Sequence, residues 1–180
     1  MQEGEVVKTF RAVGVDTIFR YPRQDDLDAF IEMHLTLTRE KVMCRRLTLD
    51  RESGGRMLAA ILDGLKQDNG TYILVEQKGE LVGEGFADRS GYHYHTVGLA
   101  LIGRVRGTGI GTELMWTLEE ECRRLGGKRL HLTVFAANEA GIHVYEKVGY
   151  RECGRRPSWV ELDDGSECDL IDMTKILATG

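Results

Sequence analysis

Arg104-Val105-Arg106-Gly107-Thr108-Gly109-Ile110-Gly111-Thr112 is the stretch that decides the reading of this chain. A strand pattern runs into it and a long helical pattern leaves it, so the three alternating glycines sit at a strand-to-helix junction. Glycine lets a backbone approach a ligand closely, and the unpaired N–H groups of a helix start attract anions. Arg104 and Arg106 add fixed positive charge beside them. The physics favours a phosphate-bearing cofactor, with a glycine-rich turn that binds nothing as the alternative. A Walker loop requires Gly-Lys-Ser/Thr, which does not occur here. The dinucleotide fingerprint G-x-G-x-x-G has Thr112 where its third glycine belongs, and this loop follows a hairpin rather than opening a βαβ unit.

Outward from the loop, the elements can be read by period. On its C-terminal side Ile110, Leu114, Leu118, Cys122 and Leu125 recur at helical spacing, ended by Gly126-Gly127. Leu130, Leu132 and Val134 alternate with Arg129, His131 and Thr133 as in a half-buried strand. Asn138 opens a short helix that Gly149 stops. Tyr150–Arg155, Trp159–Leu162 and Cys168–Met173 follow as three strands. On its N-terminal side, residues 92–102 form a strand, preceded by a hairpin of Thr71–Glu76 and Leu81–Ala87 turned at Lys78-Gly79. Two helices come before it, one opened by Gln24, Asp25 and Asp26 with an apolar face of Leu27, Phe30, Ile31 and Leu35, the other carrying Met57, Leu58, Ile61, Leu62 and Leu65. Val15–Tyr21 is the first strand. Residues 1–14 form either a loose polar extension or an extra edge strand. The expected class is α/β (α+β), with the order β-α-α-β-β-β-α-β-α-β-β-β and a largely antiparallel sheet flanked by helices.

The 180 residues form one expected domain, 1–180, and 42% hydrophobic content suffices for a core. With 24 basic and 29 acidic residues the chain carries a net charge of −5, which argues against a nucleic-acid or membrane-surface partner, because both require a basic field. No run reaches the ~18–20 apolar residues of a membrane span, and the polar start MQEGEVVKTFR does not resemble a signal peptide. A cytoplasmic location is the expectation. Cys44, Cys122, Cys153 and Cys168 lack zinc-ligand spacing and read as reduced thiols, with Cys153 and Cys168 facing each other if their strands pair. Glu119-Glu120-Glu121 and Arg123-Arg124 read as a solvated helix face, and Trp116 and Trp159 as packing.

Two segments together resemble the GNAT superfamily of acetyl-CoA-dependent N-acetyltransferases. Arg104-x-x-Gly107-x-Gly109 is similar to that family's pyrophosphate loop, Gln/Arg-x-x-Gly-x-Gly/Ala. Asn138 to Tyr150 is similar to its N-x-x-A-x-x-L-Y-x-x-x-G-F segment, with Gly141 in place of the alanine, Val144 of the leucine and Tyr150 of the phenylalanine. The terminal run from Asp169 to Leu177 resembles the family's last strand.

The resemblance implies acetyl-CoA as cosubstrate, no metal, an amine of a small molecule or peptide as acceptor, and a homodimer at the level of the family. It implies that Arg104, Arg106, Gly107, Thr108, Gly109, Ile110, Gly111 and Thr112 bind the pyrophosphate. The backbone of Leu99, Ala100 and Leu101 would then meet the pantetheine arm. Asn138 would either cap its helix or bond that arm. It places Tyr145 as the acid that protonates the departing thiolate, a role suited to a phenol with an ordinary pKa near ~10. The strand before the loop carries no carboxylate to act as base. His95, then His93, take that place, since an imidazole titrates near neutrality. Glu84 on the neighbouring strand is the carboxylate alternative. Two histidines without a third ligand make no metal site. Residues 24–66 would shape the acceptor pocket. A second class remains open, an acyl-CoA sensor that binds without turnover.

Overall fold

The computed structural model describes residues 1–41, 48–91, 93–162 and 164–177. Two tight hairpins organise the N-terminal half of the sheet. Strands β1 (Val6–Ala12) and β2 (Val15–Arg20) are joined at Val13-Gly14, and β3 (Gly70–Gln77) and β4 (Glu80–Gly91) at Lys78-Gly79. Both central residues of each turn have positive φ, 48° and 79° in the first and 52° and 77° in the second. That geometry matches the right-handed twist of the flanking strands, and glycine adopts it without steric cost. The first fourteen residues therefore supply an added edge strand, one of the two expected alternatives. Phe10 stacks edge-on against Phe19 at 5.1 Å to hold it.

Helices α1 (Leu27–Arg39) and α2 (Arg51–Lys66) separate β2 from β3, and β5 (Tyr94–Leu101) leads through the glycine loop into α3 (Ile110–Arg124). Strand β6 (Arg129–Phe135), helix α4 (Glu139–Lys147), and strands β7 (Arg151–Glu161) and β8 (Glu167–Ile176) complete the chain. The eight strands lie in the order β1-β2-β3-β4-β5-β6-β8-β7. Every pairing is antiparallel except β5 with β6. This is the expected mixed, largely antiparallel sheet. In it, the runs at 150–155 and 159–162 merge into the single strand β7, whose register against β8 shifts between Arg156 and Val160, around Pro157. A proline has no N–H to donate to the ladder, and an edge strand with a shifted register accommodates it.

Strand alternation sorts the helices onto two faces. A Cβ on Gly85 would lie 3.0 Å from Leu114 of α3, whereas the neighbouring Glu84 meets His34 of α1. Helices α1 and α2 thus cover one face of β3–β4, and α3 covers the other with α4 packed beside it. Both faces of the central strands are apolar: Ile73, Leu74, Val75 and Val82 are fully buried. Helix α3 is enclosed on more than one side, which corrects the reading of its acidic run. Glu120 is exposed, but Glu119 and Glu121 are buried. Glu119 pairs with Lys175 of β8 at 2.5 Å, and Glu121 accepts from the Tyr21 hydroxyl at 2.7 Å and pairs with Arg124 at 2.9 Å.

The tryptophans are corrected too, since Trp116 is 43% and Trp159 61% exposed, the latter beneath the Arg156 guanidinium. Cys153 and Cys168 do not face each other: Cys168 is opposite Val160, and the Cys153 thiol lies 3.4 Å from the Asp172 carbonyl. Both are free thiols, as is Cys122, and Cys44 lies outside the described residues.

Candidate active site

The glycine loop is shaped by backbone conformation before any side chain acts. Gly107 and Gly109 hold φ of +72° and +88°, and a Cβ on either would meet nothing within 4 Å, so the space above them is open. Gly109 is the N-cap of α3 in the left-handed region, and no side chain caps that end. The first α3 hydrogen bond runs from the Glu113 N–H to the Gly109 carbonyl at 3.1 Å. The N–H groups of Ile110, Gly111 and Thr112 therefore have no intrahelical acceptor, and they carry the positive end of the helix dipole. Thr108 fixes the loop by donating its hydroxyl to the Val105 carbonyl at 2.6 Å. A diphosphate fits this cradle in charge and in available donors.

The two arginines, expected to add fixed positive charge beside the loop, are each paired with a glutamate. Arg104 turns back to the β3–β4 hairpin and pairs with Glu80. Arg106 donates to the Leu101 carbonyl at 2.9 Å and pairs with Glu40 at 2.6 Å. Glu40 ends α1, and the same carboxylate oxygen accepts the Gly103 N–H at 2.7 Å. Helix α1 is thereby fastened to the glycine loop by one side chain. Nothing in the sequence periodicity joins residues 66 positions apart.

Beside the loop, β5 and β6 pair only through Tyr94–Thr96 and Arg129–His131. Beyond Thr96 the two strands part. Leu99, Ala100 and Leu101 stand on the diverging portion and lead directly into the loop. Asn138 caps α4, its side-chain oxygen accepting the Gly141 N–H at 3.0 Å. A Cβ on Gly141 would come within 2.6 Å of the Asn138 amide, which gives the glycine at that position a physical reason. Gly111 lies between Leu101 and Val144, so α4 is seated against the loop. Its Tyr145 is 5% exposed, with its ring 6.1 Å from that of Tyr150. Burial pushes the Tyr145 phenol up to about 12, which keeps it protonated throughout the neutral range.

The placement of the two histidines corrects the first choices for a base. His93 is exposed with φ of +66°, in the turn ahead of β5 rather than on its face. His95 has no exposed surface. It lies against Gly127, at the end of β5 far from the loop, and among the described residues neither ring nitrogen has a hydrogen-bond partner. Desolvation lowers its pKa, and the Arg89 charge adds to the effect.

Glu84 stands on the opposite face, level with Ala100. It is buried at 4% exposure, accepts a hydrogen bond from the Tyr72 hydroxyl, and lies 3.2 Å from His34 Nε2. His34 went unassigned from sequence, although its position seven residues after Leu27 puts it inside the apolar stripe of α1. A polar residue on such a stripe is the signal that could have found it. No group of three or more histidine, cysteine or acidic side chains among the described residues is placed to hold a metal.

Comparison with known proteins agrees with this geometry. The sequence pattern of the acetyltransferase (GNAT) family matches residues 35–150. The chain is 47% identical over 45 residues, 25% of its length, to the uncharacterized N-acetyltransferase YdgE of Bacillus subtilis (strain 168). It is 31% identical over 86 residues, 48% of its length, to the acetyltransferase ECA0875 of Pectobacterium atrosepticum. These matches span 29% and 61% of the two relatives. Among solved structures, yncA of Salmonella typhimurium, determined with its cofactor acetyl-CoA, shares the fold with a TM-score of 0.77 at 18% identity, over 91% of this chain and 95% of that one. The chain belongs to the acetyltransferase (GNAT) family.

Proposed function

We propose that this chain transfers the acetyl group of acetyl-CoA to a primary amine of a small molecule or peptide, by direct attack within a ternary complex. The observation that carries this reading is the uncapped, open start of α3 lying directly beyond the strands that part after Thr96. The thioester supplies an activated acetyl group. The N–H groups from Gly107 to Thr112 hold the diphosphate, and Arg106 is near enough to add charge when it exchanges Glu40 for the ligand. The backbone of Leu99 and Ala100 extends the sheet with the pantetheine amides, and a β5 N–H polarises the acetyl carbonyl.

Two proton transfers complete the reaction. Tyr145 donates its phenolic proton to the departing sulfur, and its raised pKa keeps that proton available. Glu84 takes up the proton that the attacking ammonium must lose, from the face covered by α1. Asn138 serves as the cap that fixes the start of α4, and so the position of Tyr145.

The test is release of CoA thiol from acetyl-CoA across a panel of polyamines, aminoglycosides, amino acids and peptide N-termini. Turnover on one acceptor that falls about 10²-fold or more in Tyr145→Phe is expected for a lost general acid. Equal rates in both proteins remove the acid role. Tight acetyl-CoA binding with no release from any amine replaces the enzyme by an acyl-CoA sensor.

A further inference from the structure

The same face of β4 that carries Glu84 also carries Phe86 and Asp88, since alternate residues of a strand point the same way. At the Asp88 end a cavity of ≈ 270 Å³ opens between α2 and the strands. Its roof is the helical stripe Met57, Ala60, Ile61 and Gly64, where alanine and glycine leave room that larger residues would fill. Its floor includes Tyr72, whose hydroxyl donates to Glu84. One side chain thus forms a wall of the cavity and touches the proposed base.

Asp88 stands at the mouth of the cavity. Among the described residues its carboxylate has no ion pair and no hydrogen bond, unlike Glu76, Glu80, Glu119 and Glu121, each of which has a partner. Desolvation by the surrounding walls raises its pKa. An unpaired carboxylate at the open mouth of a largely apolar cavity attracts an organic cation rather than a neutral or anionic group. The four-residue separation of Asp88 from Glu84 along a regular strand is about 13 Å.

We infer that this cavity is the acceptor's distal subsite, and that the preferred acceptor is a dicationic amine with an apolar spacer. Its reacting amine lies at Glu84, its hydrocarbon body lies along Tyr72, and its second cation pairs with Asp88. The inference rests on the proposed acetyl transfer and adds to it a substrate class and a residue that selects it. The chain's net charge of −5 further favours approach of such an acceptor.

The experiment compares α,ω-diamines of increasing length with n-alkylamines of matched length, reading kcat/KM for CoA release and, separately, thermal stabilisation of the protein by each amine alone. The expected result is at least a tenfold preference for diamines, greatest where the charges lie about 10–13 Å apart, as the strand spacing requires. The preference shrinks with added salt, because it comes from an accessible charge pair. Asp88→Asn lowers diamine turnover at least tenfold more than monoamine turnover. Ala60→Leu, at an exposed helical position over the cavity, weakens both amines in proportion to their length. Equal kcat/KM for diamines and monoamines, or an unchanged ratio in Asp88→Asn, overturns the subsite while leaving acetyl transfer intact. If no amine is acetylated, the functional reading fails. The thermal arm then still decides the subsite: stabilisation by diamines that Asp88→Asn removes supports it, and its absence in the wild type overturns it.

Discussion

Tyr150 shows how much a single hydroxyl can matter. It stands where the family pattern has phenylalanine, is 2% exposed, and among the described residues its hydroxyl has no hydrogen-bond partner. Burial, together with the nearby Glu119, drives its pKa upward, so it stays neutral. A buried, unpaired hydroxyl costs about 1–3 kcal/mol relative to a satisfied one, and phenylalanine fills the same volume without that cost. Tyr150→Phe is therefore expected to raise stability by about 1 kcal/mol, read as a higher urea midpoint with an unchanged m-value. A fall in the midpoint would mean that the hydroxyl has a partner in solution. The substitution leaves Tyr145 with its aromatic neighbour at the same ring distance, so an effect on turnover would assign Tyr150 a part in the chemistry.

At the scale of elements, the glycine loop was legible because conformation alone singles it out. Gly107 and Gly109 take positive φ, and α3 starts without a cap, as the spacing of glycines against the helical stripe implied. The hairpin at Lys78-Gly79 and the Asn138 cap were legible for the same local reason. The base was not. Period two says that alternate residues share a face, but it does not say that Gly127 covers His95 or that His93 lies in a turn. The burial of Glu119 and Glu121 was likewise hidden, because a helix enclosed on several sides reads in sequence like one with a wet face.

Most hidden of all was Glu40, whose partners Gly103 and Arg106 come from a distant element. In the proposed complex its negative charge would sit where the diphosphate needs positive potential, and it would compete with the ligand for Arg106. Glu40→Gln keeps an acceptor for the Gly103 N–H and removes the charge. The expected outcome is an acetyl-CoA Kd lowered several-fold, by about 1 kcal/mol for one released charge-assisted pair, measured by titration calorimetry at two salt concentrations. An unchanged or raised Kd would show that Glu40 instead holds the loop in its binding shape.

For the whole molecule, the proposed reaction divides its tasks between the two sheet faces, cofactor on the α3–α4 side and acceptor on the α1–α2 side. Their alignment depends on keeping α1 fixed to the sheet. Besides Glu40 at its end, α1 is fastened at its start by Arg20 of β2. That guanidinium grips Asp26 through two bonds of 2.7 and 2.8 Å and reaches Glu76 of β3 at 2.8 Å. Arg20 and Asp26 are each 5% exposed, so the pair is shielded from salt and from water. Desolvation opposes the charged form of Asp26, yet the hydrogen bonds and charge of Arg20 outweigh it and hold the carboxyl below its ordinary range. A folded-state pKa below the unfolded value near ~3.9 contributes stability that is fully present above that value and is lost as pH falls through the folded pKa. Thermal unfolding followed from pH 6 down to pH 3 should therefore show the wild type losing stability mainly below about pH 4. Asp26→Asn leaves Arg20 with Glu76 alone and is expected to cost about 3–5 kcal/mol at pH 7, with a flatter dependence on acid. Because it loosens α1 rather than the glycine loop, the same variant should raise the KM for the acceptor more than the KM for acetyl-CoA. Equal effects on both would mean that the two faces are not mechanically separate, and that the sheet moves as one body when α1 is released.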